Sequence, residues 1–205
     1  MAKRILPYRD YSEHDVLNLF SLDTSAEAAG FAGWTEAASG DHDSGVVVKV
    51  KTGELPGDLP GGLSEHASGE KLRKYLGDSP TSAHIGYNAY PYNGMTVEPA
   101  GAGEVAVGIT LRETLAYDEN GEKLLYYKQK LDEAQAVLPG QTVPVLTRGL
   151  VLLDSNAVTG NPDIGAQLEV GADGTLVADT EAGNALVATV VAKSGSDKFL
   201  CKISF

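Results

Sequence analysis

Asp41, His42 and Asp43 form the densest group of metal-type ligands in the chain, two carboxylates flanking an imidazole, and binding a cation is the chemistry they would do. Neighbouring side chains on an extended backbone point to opposite faces, and no second cluster supplies further ligands, so an exposed loop is the better reading. The stretch Asp118-Glu119-Asn120-Gly121-Glu122 looks like a fragment of a calcium loop. It lacks the spaced acidic ligands and the closing bidentate glutamate, and reads as a hairpin turn. His14, His66 and His84, like His42, stand singly in polar settings with no partner at metal spacing.

The sequence contains no Gly-x-Ser-x-Gly elbow, no P-loop, no Gly-x-Gly-x-x-Gly after a strand and no His-Glu-x-x-His. Asp154 and Asp179 are acids near turns, as a small-barrel enzyme would use, but no convergent polar set assembles around either. The expectation is a chain that is not an enzyme, with no catalytic residue, no metal and no cofactor. A different feature is Tyr87, Tyr90 and Tyr92, three tyrosines within six residues ahead of the turn signal Asn93-Gly94. These rings could cap the end of a β domain, contact a second subunit, or stack on a sugar or base.

The elements that must hold such groups are mostly strands. Val46–Val50, Met95–Val97, Val105–Glu113, Val143–Leu153, Gln167–Val170, Thr175–Ala178, Ala185–Ala192 and Phe199–Phe205 are β-branched or alternating runs. Turn signals punctuate them at Asp118–Gly121, Pro139-Gly140 and Ala172–Gly174, where glycine supplies a backbone conformation that other residues resist. Ser68–Gly77 carries the one strong helix signal, with a serine cap, Leu72, Tyr75 and Leu76 on one face, and a glycine stop. It falls in a loop-rich insertion at about 53–94. The runs 102–111 and 182–191 echo each other, an Ala-Gly turn feeding a small-residue strand, with too little identity to mark a duplication.

Residues 1–22 differ from the rest. They hold Ile5, Leu6, Tyr8, Tyr11, Val16, Leu17, Leu19 and Phe20, far more apolar side chain than a solvated tail carries. Ser12–Asp15 has the spacing of a capping box, but the stretch is too short for a stable isolated helix, so the arm is helical or extended according to what it packs on. Two destinations follow: a partner, or the chain's own domain, in which case Leu17 and Phe20 are core residues.

The 205-residue chain has 16 basic and 28 acidic side chains, a net charge of -12 that argues against general nucleic-acid binding. Lys3, Arg4 and Arg9 nevertheless make the first nine residues basic, a tip suited to an acidic patch. The single cysteine, Cys201, sits in an apolar alternation and reads as a buried structural thiol. No apolar run reaches membrane-spanning length and no signal-type segment opens the chain, so a soluble protein without membrane contact is expected.

Gly45–Val50, Glu104–Arg112, Val137–Leu150, Val187–Phe205 and the opening Ile5–Phe20 together resemble the capsid decoration, or cement, proteins of tailed bacteriophages. Leu55–Tyr92 has no counterpart in that likeness. The resemblance implies an all-β fold, a small β-barrel or β-tulip-like domain over 23–205 with one short helix, preceded by an extended capsid-binding arm over 1–22. It implies a structural virion protein on the outer surface of the head, a homotrimer at threefold or quasi-threefold positions, bound to the major capsid protein. In that role Arg4, Ile5, Leu6, Tyr8, Arg9, Tyr11, Val16, Leu17, Leu19 and Phe20 would be the capsid contacts, and Tyr87, Tyr90 and Tyr92 subunit or surface contacts. The alternative is a surface-exposed adhesive module that binds glycan through the tyrosine loop.

Overall fold

A computed structural model describes residues 4–22, 44–53, 95–114, 124–134, 136–138, 141–178 and 185–205. The Asp41–Asp43 group, His66, His84, the expected helix at Ser68–Gly77, the tyrosine loop, the turns at 118–122 and 139–140, and Asp179 lie outside these residues.

The described chain is all-β with little helix. Its strands are β1 (Ile5–Asp10), β2 (Val16–Leu17), β3 (Ser21–Leu22), β4 (Val47–Gly53), β5 (Met95–Pro99), β6 (Gly108–Thr110), β7 (Val145–Leu146), β8 (Arg148–Asp154), β9 (Val158–Thr159), β10 (Gln167–Val170), β11 (Leu176–Ala178), β12 (Leu186–Ser194) and β13 (Lys198–Ser204). They form a seven-stranded sheet in the order β1-β8-β13-β12-β10-β11-β9 and a six-stranded sheet in the order β2-β7-β6-β4-β5-β3. Neither sheet closes on itself, so the expected barrel is two open sheets sharing a core.

The run Val46–Val48 shows how the sequence builds this. A strand alternates faces, so three successive valines must serve two environments. Val47 joins Ile109, Leu146, Leu153 and Phe199 in the core between the sheets, whereas Val46 and Val48 join Leu22, Val97 and Val145 in a second core on the opposite face. All three valines are wholly buried. A sheet covered on both faces needs such an unbroken apolar run. In β13 the alternation is simpler, with Phe199, Cys201 and Ile203 inward and Lys198, Lys202 and Ser204 outward.

The expected strand Val143–Leu153 is two strands, because the backbone changes sheets at Thr147. Its N–H donates to the Asp15 carbonyl on the six-stranded side, and its carbonyl accepts from Phe205 N–H on the seven-stranded side. Similarly, Val105–Glu113 narrows to the three residues of β6. The two echoing runs end in different sheets, as β6 and β12. A helix not foreseen in the sequence, Lys128–Ala134, carries Leu131 onto a small third core of Leu124, Ala136 and Leu138. Its seven residues, KQKLDEA, include several strong helix formers and no β-branched side chain.

The arm is woven into both sheets. β1 pairs with β8, β2 with β7 and β3 with β5, so among the described strands residues 4–22 supply one end of the seven-stranded sheet and both ends of the six-stranded sheet. Ile5 is buried against Leu153, its N–H donates to Ser44 Oγ at 3.0 Å, and Gly45 makes the close approach feasible. A Cβ on Gly45, whose φ is +75°, would lie 2.8 Å from Ile5 Cγ1 and 2.9 Å from Leu153 Cδ2. Between Ile5 and Arg9 the register slips, with four residues of β1 set against two of β8, a bulge that accommodates Pro7 on an edge. Ser12 does cap a turn, its Oγ accepting from His14 N–H, but the helix is a single 3-10 turn, Glu13–Asp15, before the chain becomes extended again.

Cys201 is fully buried, its thiol donates weakly to the Phe199 carbonyl, and burial pushes its pKa up to about 12. The unfolded chain ionises this thiol near its ordinary value of 9. Stability is therefore full below pH 9 and falls as pH rises toward 12, where unfolding releases a proton the native state retains. We expect Cys201 to resist iodoacetamide in the folded protein and to react fully in denaturant. Rapid labelling without unfolding would contradict this burial.

Candidate functional site: a groove built by the arm

The arm and the strand ends beneath it enclose an open groove of about 1230 Å³. Arg9 and Tyr11 enter from β1 and its exit, Glu13 and His14 from the 3-10 turn, and Val16, Leu17, Asn18 and Leu19 from β2 and its continuation. Leu111, Arg112, Thr142 and Pro144 complete the described lining. The β6–β7 ladder fixes these last four, with Leu111 N–H donating to the Pro144 carbonyl at 3.0 Å. The arm is tied across the gap: Arg9 Nη1 donates to the Leu111 carbonyl at 3.4 Å. Tyr11 packs against Gly149, where an added Cβ would fall 2.7 Å from Tyr11 Cβ.

β2 divides the apolar lining by strand alternation. Val16 and Tyr11 lean on the core between the sheets, and Leu17 and Leu19 lean on the second core. Each is half-buried, anchored on one side and open to the groove on the other. Arg9, Arg112, Glu13 and His14 are exposed. Glu13 is thus the only acidic side chain among the described lining, which also holds two arginines, in a chain whose net charge is -12. Such a surface suits contact with a negatively charged, partly apolar ligand; guanidinium forks grip carboxylates in pairs.

Of the ten arm residues expected to meet a partner, the structure brings Arg9, Tyr11, Val16, Leu17 and Leu19 into this groove. Ile5 and Phe20 are instead buried in the chain's own cores, so neither side chain is exposed to a partner in the folded chain. Leu6 is half-buried and Tyr8 is 53 % exposed, both outside the groove lining. Arg4 is exposed, with its backbone paired to Asp154: Arg4 N–H donates to Asp154 Oδ1 at 3.0 Å, and Asp154 N–H donates to the Arg4 carbonyl. Asp154 also accepts from Ala157 N–H and Asn156 Nδ2, so it organises a turn. The sequence reading missed Glu13, His14, Asn18, Leu111, Arg112, Thr142 and Pro144 as lining. Arg112 and Pro144 lie in runs already singled out as strands, but only the long-range pairing of β2 with β7 brings them to the arm.

A second charged group lies on the six-stranded sheet. Lys49 Nζ reaches Glu104 Oε1 at 2.6 Å and Glu98 Oε1 at 3.3 Å, and Lys51 reaches Glu98 Oε2 at 3.4 Å. The hydrogen bond from Lys49, followed by that from Gly101 N–H, holds the Glu104 carboxyl below its usual range, and the Glu104 bond raises Lys49. These groups satisfy one another and brace the turn at 101–104. The stabilisation is present above pH 4.5 and is lost as acid protonates Glu104. No family model, curated protein or solved structure matches the chain.

Proposed function

We propose that this protein is a structural component of a tailed-phage virion, a decoration protein that binds the major capsid protein on the outer surface of the head and stabilises the shell against the pressure of packaged DNA. Homotrimers at threefold or quasi-threefold positions are part of the proposal, and no enzymatic step is. The observation that carries the reading is the groove: anchored apolar side chains and two arginines gathered from both sheets, on a chain that is otherwise strongly acidic. The resemblance of the strand runs and the opening segment to cement proteins supplies the identity of the shell. Repetition over a lattice multiplies modest binding at each junction, so no single contact need be strong. The acidic body disfavours adhesion to DNA, while the basic groove selects an acidic surface.

Cosedimentation with undecorated, expanded phage heads tests this. Saturable binding by the full chain is expected, reduced about tenfold or more by Arg9→Glu with Arg112→Glu, two exposed changes that leave the cores intact. A folded protein that fails to bind heads at any stage of expansion contradicts the proposal. Deleting the arm does not test capsid binding cleanly, because its strands pair in both sheets.

A further inference from the structure

We propose that β2 is an acceptor edge: an extended, acidic segment of a partner protein adds to it as a further strand, lying in the groove. This deepens the reading of the groove as a protein-contact site but does not depend on the partner being a capsid.

The argument begins with the edges of the sheets. An unpaired edge invites strand addition, and folded proteins usually guard it with a short strand, proline, a bulge, lysine or burial; among the described strands β2 has the first of these alone. β1 has Pro7 and a two-residue slip in register. β3 ends in the wholly buried Leu22, and β9 is followed by Gly160, Asn161 and Pro162. β2 has neither proline nor lysine, and its regular pairs with β7 are Val16 to Leu146 and Leu17 to Val145. Its shortness keeps two copies from zipping together while leaving room for a ligand that brings its own side-chain contacts.

The backbone is poised for this. Thr147 N–H donates to the Asp15 carbonyl, so Asp15 and Leu17 direct their hydrogen-bonding groups toward β7. Alternate residues of an antiparallel ladder face the other way, which turns the Val16 carbonyl outward. Its N–H is already used, donating to the Glu13 carbonyl in the 3-10 turn. Asn18 and Leu19 follow, and neither makes a backbone hydrogen bond to any described residue. Residues 16–19, of which Val16 and Leu17 form β2, would span about 13 Å at the 3.3 Å per residue of a strand.

Side chains decide the occupant. Val16 on one face of β2 and Leu17 and Leu19 on the other would flank an added strand with apolar surface, and Arg9 and Arg112 would meet its carboxylates. A basic segment would meet the same arginines, with Glu13 the one acidic side chain of the described lining to offset them. The fit is to an alternating apolar and acidic strand, held by main-chain bonds and selected by charge.

The test uses the full chain and blocked peptides of about eight residues, roughly twice the span of 16–19. One alternates valine with glutamate, a second valine with lysine, and a third is the glutamate peptide N-methylated at alternate residues. Binding is followed by amide shifts and hydrogen exchange. Saturable binding of the glutamate peptide is expected, with slowed exchange of the Asn18 amide. Binding of the other two peptides, and binding of the glutamate peptide to the Arg9→Glu, Arg112→Glu variant, should be weaker by about tenfold or more.

No saturable binding, equal binding of the lysine peptide, equal binding of the N-methylated peptide, or shifts confined to residues away from 16–19 would each overturn strand addition. Head cosedimentation on the same samples separates the two readings. Peptide binding without head binding keeps the acceptor edge and removes the capsid; head binding without peptide binding does the reverse.

Discussion

Alanine at position 20 should lower the unfolding free energy by about 3–5 kcal/mol, the usual range for emptying a buried phenylalanine site. Phe20 belongs to the first 22 residues, which in sequence resemble a docking arm, yet only 6 % of its surface is exposed. It packs in the second core with Leu22, Val46, Val48, Val97, Val143 and Val145, and its carbonyl accepts from Val143 N–H. Five of these are valines on three different strands or their flanks. The stiffness of β-branched side chains leaves little scope for them to close the space, which places the expected loss toward the upper part of the range. For a chain of this size the midpoint of thermal unfolding should drop by roughly 10 °C. Urea denaturation with a fixed m-value is the measurement. A loss below about 1 kcal/mol would mean that the arm leaves the body without disturbing it, and would restore the arm to the role of a detachable ligand.

Removal of residues 1–22 should be more severe still. It takes Ile5, Phe20 and Leu22 out of two cores and uncovers the edges of β8, β7 and β5 at once. The expected product aggregates and shows no cooperative unfolding, because three strand edges are then free to pair between chains.

Gly174→Ala is the second large effect. Gly174 closes the turn between β10 and β11 with φ +71°, following Asp173 at φ 53°. Its N–H donates to the Ala100 carbonyl at 2.7 Å, a bond that ties a turn of the seven-stranded sheet to the chain leaving β5 in the other. A Cβ here would stand 2.5 Å from Val46 Cγ1 and 2.7 Å from the Val47 carbonyl oxygen. The left-handed conformation alone costs a residue with a Cβ about 1–2 kcal/mol. The contact with the Val47 carbonyl adds to it, since a backbone atom inside a wholly buried strand cannot rotate aside. A total of about 3 kcal/mol or more is expected, read by urea denaturation, with the turn pushed off the six-stranded sheet. A variant as stable as the parent would show that the two sheets are not pinned at this point. Gly160→Ala is the control: its φ is +83°, but nothing lies within 4 Å of its Cβ position, so it isolates the conformational part.

Much of the body was legible in the residues. The valine run at 46–50, the alternation of Phe199, Cys201 and Ile203, and Gln167–Val170 each became the strand their pattern indicated, because the period-two signal is local and the burial it demands is local too. Ala172–Gly174 became a turn with Asp173 and Gly174 at positive φ, residue types suited to that conformation. The buried state of Cys201 followed from the same alternation. The helix at Lys128–Ala134 was hidden because a seven-residue element declares itself only through propensity, a weak signal beside the many strands around it.

The arm shows what a sequence by itself determines and what it leaves to the fold. Composition established that Ile5, Leu17, Phe20 and their neighbours must be buried, since apolar surface in that density does not stay in water. It could not establish where, because the hydrophobic effect has no direction: a partner's groove and the chain's own sheet edges satisfy it equally. That choice rests on contacts between residues more than a hundred positions apart, Ile5 with Leu153 and Val16 with Leu146. The same pairings carry Arg9 to the Leu111 carbonyl and set Arg112 and Pro144 beside β2. The amino-acid order therefore decided the class of fold and the need for burial, and the tertiary structure alone decided that the arm is part of the domain and that a groove opens beneath it.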